Sequence, residues 1–531
     1  MRHTFAAFTV VCVATACASR PTPPPTRPAP VETHRPEPVA PVMMPVAEVR
    51  TPPPAKSRVA YVADSAVSAP MWRNARWGML IVDAANGDTI YSHDADRLFM
   101  PASNQKLLTG AIALSTLGPD YQWRTPIILR GIQRGKVFHG DLVIVGRGDP
   151  SVSDSLRGGN ALAAFDPIAE ALRARGIASI SGRVTTSEDY FEGITSGLGW
   201  EIDDLDTPSG AVVDELLFNE GYLRLTVRAG ERAGRPVTGT LAPRLPYPQV
   251  RFEATTRAAG IPGERLEVAY DSIGNAVVVR GTLAVGDSQR VTRSYRHPND
   301  AYRAALIARL AASGIRVKGP FVAPRMTAAA TRAQMAMRRD TLVVLQSLPL
   351  RELLPRLQKP SQNQLAEMFF RTSGRVGTAH GSADSARAFA ARALAQLGVA
   401  AEQAAYRDGS GLSRHDYVTP SALITVLSAM HRSPWAKLYR ESLPLAGVDG
   451  TIANRMRNTP AAGNANAKTG TLDKTRALSG YVTSADGRTI IFSLIANNYT
   501  VPTREVDRVQ DLLVSTLASL SFASPATDRV P

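Results

Sequence analysis

Apolar residues near the two ends of the chain fall into matching patterns. Gly78 to Asp83 is an apolar run that leads to Asn86-Gly87 and then to Thr89-Ile90-Tyr91. Two strand-like runs about Asn-Gly predict an antiparallel hairpin, because both residues tolerate the left-handed backbone of a tight turn. Leu478 to Thr483, Asp486-Gly487 and Thr489 to Leu494 repeat the arrangement. After the first hairpin, Asn104 to Leu114 has a helical apolar pattern and is entered through Pro101 and Ser103, which predicts a helix. Arg504 to Leu520 closes the chain as an amphipathic helix. Between residues 130 and 340 the texture differs: Asp141 to Val145, Leu223 to Val227 and Ala276 to Val279 read as strands between glycine and proline turns. One helix, Ala301 to Ser313, interrupts them. The expected order is therefore part of a sheet (57–129), a strand-rich insertion of one or two domains (130–340), and the rest of the sheet (341–525).

The N-terminus reads as an address. Met1-Arg2-His3 precedes an apolar run from Phe5 to Ala16, long enough for a signal-peptide core and too short for a spanning helix of roughly 20 residues. Residues 1–18 are thus expected to be a signal peptide. Small residues at Ala14, Ala16 and Ala18 suit ordinary cleavage, whereas Ala14-Thr15-Ala16-Cys17 is similar to a bacterial lipobox in which Cys17 becomes the lipidated first residue. Both readings predict export to the periplasm or cell envelope; the second adds membrane attachment. Residues 19–56 follow as a tether, with 13 prolines between positions 21 and 54 and no material for a core.

Composition narrows the chemistry. With 531 residues, 44% hydrophobic and 20% charged, the chain is globular and long enough for two or three domains. Its net charge of +15 suits an anionic partner, either nucleic acid or a bacterial envelope. The basic residues are scattered and not gathered on a recognition helix, so nucleic-acid binding is not expected. Both cysteines, Cys12 and Cys17, precede the folded part, which excludes disulfides and cysteine metal sites there. The eight histidines never form HxxxH or HExxH; no metal and no cofactor are expected. Gly146-Arg147-Gly148-Asp149 reads as a turn between strands, and His415 as a surface residue.

Three short motifs remain. In Ser103-Asn104-Gln105-Lys106, positions i and i+3 of a helix put a hydroxyl and an amine on one side, where a neutral lysine can take the serine proton. That requires a lysine pKa well below the ordinary ~10.4. Taken alone, the match is also what an exposed helix lysine gives. Ser361-Gln362-Asn363 sets a hydroxyl and an amide on one side of a turn, fit for proton relay and for holding a carbonyl, or equally for capping a helix. Lys468-Thr469-Gly470, followed by Thr471, offers positive charge, a hydroxyl donor and an edge strand that a substrate backbone can approach. The chain has only eight lysines, so this third motif seldom arises by chance. The order SxxK, SxN, KTG, each in its expected element, is the signature set of penicillin-recognising serine enzymes.

On these motifs the chain resembles the D-alanyl-D-alanine carboxypeptidase/endopeptidase family of low-molecular-mass class C penicillin-binding proteins. The likeness extends over about residues 60–520 and includes Gly148-Asp149-Pro150-Ser151, Gly199 to Leu205, Asp408 to Arg414 and Leu445 to Thr451. It implies an α/β (α+β) fold: a transpeptidase-like, β-lactamase-like domain with an antiparallel sheet flanked by helices and a large inserted region. It implies a serine-type DD-peptidase acting on peptidoglycan stem peptides, as carboxypeptidase, endopeptidase or both, with β-lactam antibiotics as covalent inhibitors. Ser103 would be acylated and Lys106 its base; Ser361 and Asn363 would serve proton transfer and positioning. Lys468 would bind the substrate carboxylate region, with Thr469, Gly470 and Thr471 lining the strand. The N–H groups of Ser103 and Thr471 would form the oxyanion hole. Arg455 and Asp204 are similar to peptide-contacting residues of the family, and Asp473 sits where leaving-group preference would be set. Gln362 departs from the family's usual aspartate, which implies tuning and not loss of activity. A β-lactamase or esterase on the same scaffold is disfavoured by the insertion and by the lack of a placed glutamate. A non-catalytic wall-binding protein is disfavoured by intact Ser103, Lys106 and Lys468.

Overall fold

The structure, a computed structural model, describes residues 55–187, 190–193, 196–271, 276–321 and 339–522. All belong to one compact unit, Pro53–Pro531. The expected signal peptide, Cys17 and nearly all of the expected tether lie outside the described residues. The last two residues given to that tether, Ala55 and Lys56, open the helix Ala55–Val67.

Both expected hairpins form, and they join. Five antiparallel strands lie in the order Asn466–Leu472, Thr475–Thr483, Thr489–Asn497, Arg76–Asp83, Thr89–His93. The two chain ends meet in the middle, with Met79 opposite Leu494 and Ile81 opposite Phe492. Side chains alternate between two helical layers, as the period of two requires. Ile490, Phe492, Leu494 and Ala496 pack with Val59, Leu513 and Leu517 from the terminal helices. Ile491 and Ile495 face the other way, against Leu107, Ala111, Leu423 and Leu427. Burying each such leucine or isoleucine contributes roughly 1.5–3 kcal/mol, which explains why the central strand Thr489–Asn497 is an almost unbroken apolar run.

The insertion has its own core. Its first strand, Arg124–Arg134, pairs on one side with Val137–Val145 and on the other with the returning strand Arg339–Gln346, Arg124 lying opposite Gln346. The chain thus leaves the catalytic domain and re-enters beside its point of exit. The paired strands Arg124–Arg134 and Arg339–Gln346 flank the region 130–340 expected to be inserted. Ile127, Leu129, Leu342 and Leu345 project into the core it forms with Leu306 and Leu310. Arg130 lies within the strand Arg124–Arg134, opposite Asp141 on one side and Arg339 on the other. A second helix, Asp166–Ala174, joins the expected one, which runs Pro298–Ala312. Smaller sheets built on Tyr222–Arg228 and Ala276–Arg280 complete it.

Candidate active site

Ser103 lies in a single 3-10 turn, Ala102–Asn104, that feeds directly into the helix Gln105–Leu117. Ala102 has φ +46°, a strained value for a residue with a Cβ. The turn is wedged between two glycines. A Cβ on Gly470 would come within 2.3 Å of the Pro101 carbonyl oxygen, and one on Gly411 within 1.9 Å of that of Ala102. The edge strand Asn466–Leu472 can lie against the nucleophile turn only because position 470 is glycine.

Lys106 is fully buried, and its Nζ has three neighbours: Ser103 Oγ at 2.9 Å, Asn363 Oδ1 at 2.6 Å and the Ser410 carbonyl at 2.6 Å. Asn363 Oδ1 and the Ser410 carbonyl can only accept. A neutral amine has two N–H bonds and one lone pair; giving both hydrogens to those oxygens leaves the lone pair aimed at the Ser103 hydroxyl. Burial makes this form accessible, lowering the Lys106 pKa to about 7, although the charges of Asp408, Glu367 and Asp416 pull in the opposite direction. Glu367 is itself pushed up to about 8, first by burial and then by Asp408.

Ser361 sits at φ +63° in the turn before the helix Asn363–Thr378. Lys468 Nζ donates to its Oγ (2.8 Å) and to the Thr469 carbonyl (2.8 Å). Lys468 is buried too, and burial together with the positive charges of Lys106 and Arg476 holds its pKa well below the ordinary lysine range. Because Lys468 donates, the Ser361 hydroxyl hydrogen is free to point elsewhere. Capping of the following helix falls to Gln362, whose side chain accepts from the Leu365 N–H at 3.0 Å. Gln362 thereby gains a structural role in place of the usual aspartate. Asn363 Nδ2 donates to Ser209 of the insertion (2.8 Å), so the insertion helps to orient the amide that faces Lys106. On the edge strand, Thr469 Oγ1 donates to Thr451 Oγ1 (2.7 Å), and Thr471 Oγ1 accepts from Arg476.

Two expected contacts separate here. Arg455 does not join the cluster. Its guanidinium is engaged by the C-terminal helix, with Nε donating to Asp511 (2.9 Å) and Nη2 to Gln510 (3.2 Å), and with Asp507 beside it. The resemblance implied a peptide-contacting Arg455, but the Thr503–Ser519 helix presents carboxylates at positions 507 and 511 that take up its charge. Arg455→Ala is therefore expected to lower unfolding stability by about 2–3 kcal/mol, less than the ~3–5 of a fully buried pair, and to leave penicillin acylation unchanged. Denaturant unfolding beside an acylation assay checks both halves. Asp204 lies in the turn Ile202–Asp204 of the insertion. Its arginine neighbour is Arg414, which donates to Glu201 (3.0 Å) and feels the charges of Asp473 and Asp204.

Three further residues surround the base without having been assigned roles from the sequence. Asp408 ties down its own loop by accepting from the N–H groups of Ser410 (3.1 Å), Gly411 (2.6 Å) and Ser413 (2.7 Å). It also accepts from Trp200 Nε1 of the insertion (2.7 Å). Glu367 accepts from the same Ser410 N–H (2.8 Å), and the Ser410 carbonyl then receives Lys106. The signal for Asp408 and Ser410 was the stretch Asp408 to Arg414, whose two glycines and two serines mark a tight polar loop; Glu367, on the helix Asn363–Thr378, had none.

The D-Ala-D-Ala carboxypeptidase 3 (S13) family model matches residues 59–520. A D-alanyl-D-alanine carboxypeptidase of Actinomadura sp. (strain R39) is 31% identical over 470 residues, covering 86% of this chain and 83% of the relative. The D-alanyl-D-alanine carboxypeptidase DacB of Haemophilus influenzae is 29% identical over 436 residues, or 80% of this chain and 85% of its own length. Among solved structures, penicillin binding protein 4 (dacB) from Haemophilus influenzae superposes with a TM-score of 0.71 at 23% identity, covering 88% of this chain and 99% of that one. The same protein has been solved with a β-lactam. The expected antiparallel sheet with flanking helices and large insertion is the fold these structures share.

Proposed function

The chain belongs to the D-Ala-D-Ala carboxypeptidase 3 (S13) family and is a serine-type D-Ala-D-Ala carboxypeptidase; on that premise we propose how its residues divide the reaction. The Ser103 hydroxyl attacks the carbonyl carbon of the penultimate D-alanine while its proton passes to the lone pair of Lys106 Nζ. The developing oxyanion faces the backbone N–H groups of Ser103 and Thr471. As the C–N bond breaks, Ser361 gives its hydroxyl proton to the departing amine and is resupplied by Lys468. Water then cleaves the acyl-enzyme, releasing the shortened peptide and restoring Ser103. Two buried lysines, both destabilised as cations by burial and Lys468 also by the charge of Lys106, suit one proton moving between them. β-Lactams enter through the same acylation and remain on Ser103.

The observation that carries this reading is the geometry of Lys106, whose two carbonyl-type partners turn its lone pair on Ser103. The substrate class is peptidoglycan, in keeping with the family. Incubation of the purified protein with a D-Ala-D-Ala pentapeptide, with release of D-alanine followed over time, tests the reaction; release by wild type and none by a Ser103 variant is the expected result.

Export and anchoring extend the same reading. The segment from Met1 to Cys17 supports delivery across the cytoplasmic membrane, and lipidation at Cys17 would leave the proline-rich segment as a spacer toward the wall. A diacyl anchor suffices for stable attachment where one chain is marginal. Cys17→Ser is then expected to move the enzyme from the membrane fraction to the soluble one with unchanged activity on soluble peptides. Soluble behaviour of both proteins would refute the anchor and leave the catalytic reading untouched.

A further inference from the structure

Lys468 is poorly suited to be the lasting positive charge of the edge strand Asn466–Leu472. It is fully buried, and its Nζ donates to Ser361 Oγ (2.8 Å) and to the Thr469 carbonyl (2.8 Å). Burial and neighbouring positive charges disfavour its cation. A group that passes protons to Ser361 is also charged for only part of the cycle. The carboxylate that ends a D-Ala-D-Ala peptide is charged throughout, so it calls for a cation that does not come and go.

The neighbouring strand Thr475–Thr483 supplies one. Arg476 lies directly opposite Thr471, so the two side chains leave the same face of the sheet. An arginine guanidinium keeps its proton where a buried lysine gives it up. Asp507 fixes the plane of this one: Nε donates to Oδ1 at 2.7 Å and Nη2 to Oδ2 at 3.0 Å, the two parallel bonds of a fork. Asp507 also lies 2.9 Å from Arg455 Nη1, so its negative charge is divided between two arginines. Held in this way, Arg476 turns its third nitrogen, Nη1, on Thr471 Oγ1 and donates to it. Its side chain is only 14% exposed, so solvent screens its charge weakly. That charge reaches the site, where it is among the causes that lower the Lys468 pKa.

Thr471 is the exposed member of this pair, on the open edge that a substrate approaches. Because its hydroxyl accepts from Arg476, the hydroxyl hydrogen is left to donate to a ligand. Resting on the catalytic reading above, we propose that Arg476 determines specificity for the terminal carboxylate of the substrate, acting through Thr471. The Thr471 hydroxyl donates to the carboxylate; Arg476 sets the direction of that hydroxyl and supplies the lasting charge; Lys468 is left to proton transfer. Arg476 is thus a positioning residue, and no bond forms or breaks at it. The ring carboxylate of a penicillin is held in the same way.

Acylation by benzylpenicillin and by its methyl ester tests the proposal, the ester being the same ring system without the negative charge. Wild type is expected to favour the acid by about tenfold or more, the size of one hydrogen bond to a charged group. Arg476→Gln should slow acylation by the acid to a similar degree and leave the ester within about twofold. Thr471→Val should lose the acid selectively as well. Arg476→Lys keeps the charge without the fork, and its rate with the acid should fall between those of wild type and the glutamine variant. On a D-Ala-D-Ala pentapeptide the loss in Arg476→Gln should appear in KM with kcat little changed, because the carboxylate is held in ground and transition states alike. Equal losses on acid and ester would make the pair a strut of the edge strand and overturn the proposal. So would a glutamine variant that matches wild type on the acid, a lysine variant no better than it, or a wild type that reacts with acid and ester alike. Should thermal unfolding show that the glutamine variant does not fold, Arg476→Lys decides on the same ratio of acid to ester. Failure of the catalytic reading has a different sign: wild type would then take up neither ligand.

Discussion

Ser103→Ala is expected to abolish penicillin labelling and D-alanine release while leaving the fold intact. Replacing the nucleophile of a serine hydrolase costs about 10⁵–10⁶ in turnover, because no other group forms the acyl intermediate. The substitution is structurally mild. Among the described residues the Ser103 hydroxyl's side-chain partner is Lys106, which keeps Asn363 and the Ser410 carbonyl when the hydroxyl is gone. The strained turn at Ala102 and its glycine neighbours are untouched. Intact-protein mass spectrometry after exposure to penicillin should show a single adduct on wild type and none on the variant, with matching thermal unfolding curves. An adduct mapped to another serine would sink the assignment.

The parts of the protein that were legible in the sequence are those fixed by local pattern. Alternating apolar residues about Asn-Gly and Asp-Gly announced both hairpins, and the spacing of Ser103 and Lys106 followed from helix geometry. That the two hairpins share one sheet was expected from the order sheet, insertion, rest of the sheet; which strands meet could not be read, because the pairing of Met79 with Leu494 joins positions more than 400 residues apart. The partner of the strand Arg124–Arg134 was hidden for a related reason. Arg339–Gln346 returns to pair with Arg124–Arg134, and a strand's partner leaves no mark on its own sequence. Of two arginines near family-like motifs, Arg455 was singled out from its place after a glycine turn, and Arg414 was passed over. Their positions are decided by distant carboxylates, Asp507 and Asp511 for one, Glu201 for the other. The charges around the base were hidden in the same way. Glu367, Asp408 and Asp416 come from a helix and a loop whose proximity to Lys106 is purely tertiary.

Lys106→Arg is expected to slow acylation by about 10² or more, the usual cost of losing a general base. The reason is protonation and not charge. Guanidinium stays protonated at every accessible pH and has five donors with no lone pair to offer. It would press hydrogens on Ser103 Oγ where the wild-type amine accepts one. The wild type should also show the base titrating. With a Lys106 pKa of about 7, lowered chiefly by burial, the amine is mostly neutral above pH 7 and mostly protonated below it. Acylation should therefore be near its plateau above that point and fall about tenfold for each pH unit below, the proportion expected of a single titrating group. The arginine variant has no such group, so its residual rate should lack that limb. Penicillin acylation rates for both proteins from pH 5 to 9 provide the measurement, with thermal unfolding to show that the larger guanidinium is tolerated in the buried site. If the folded arginine variant reacts at close to the wild-type rate, or keeps a limb near pH 7, then another group removes the Ser103 proton. Lys106 would then be a buried structural cation, and its two carbonyl-type partners would be binding an ammonium ion instead of aiming a lone pair.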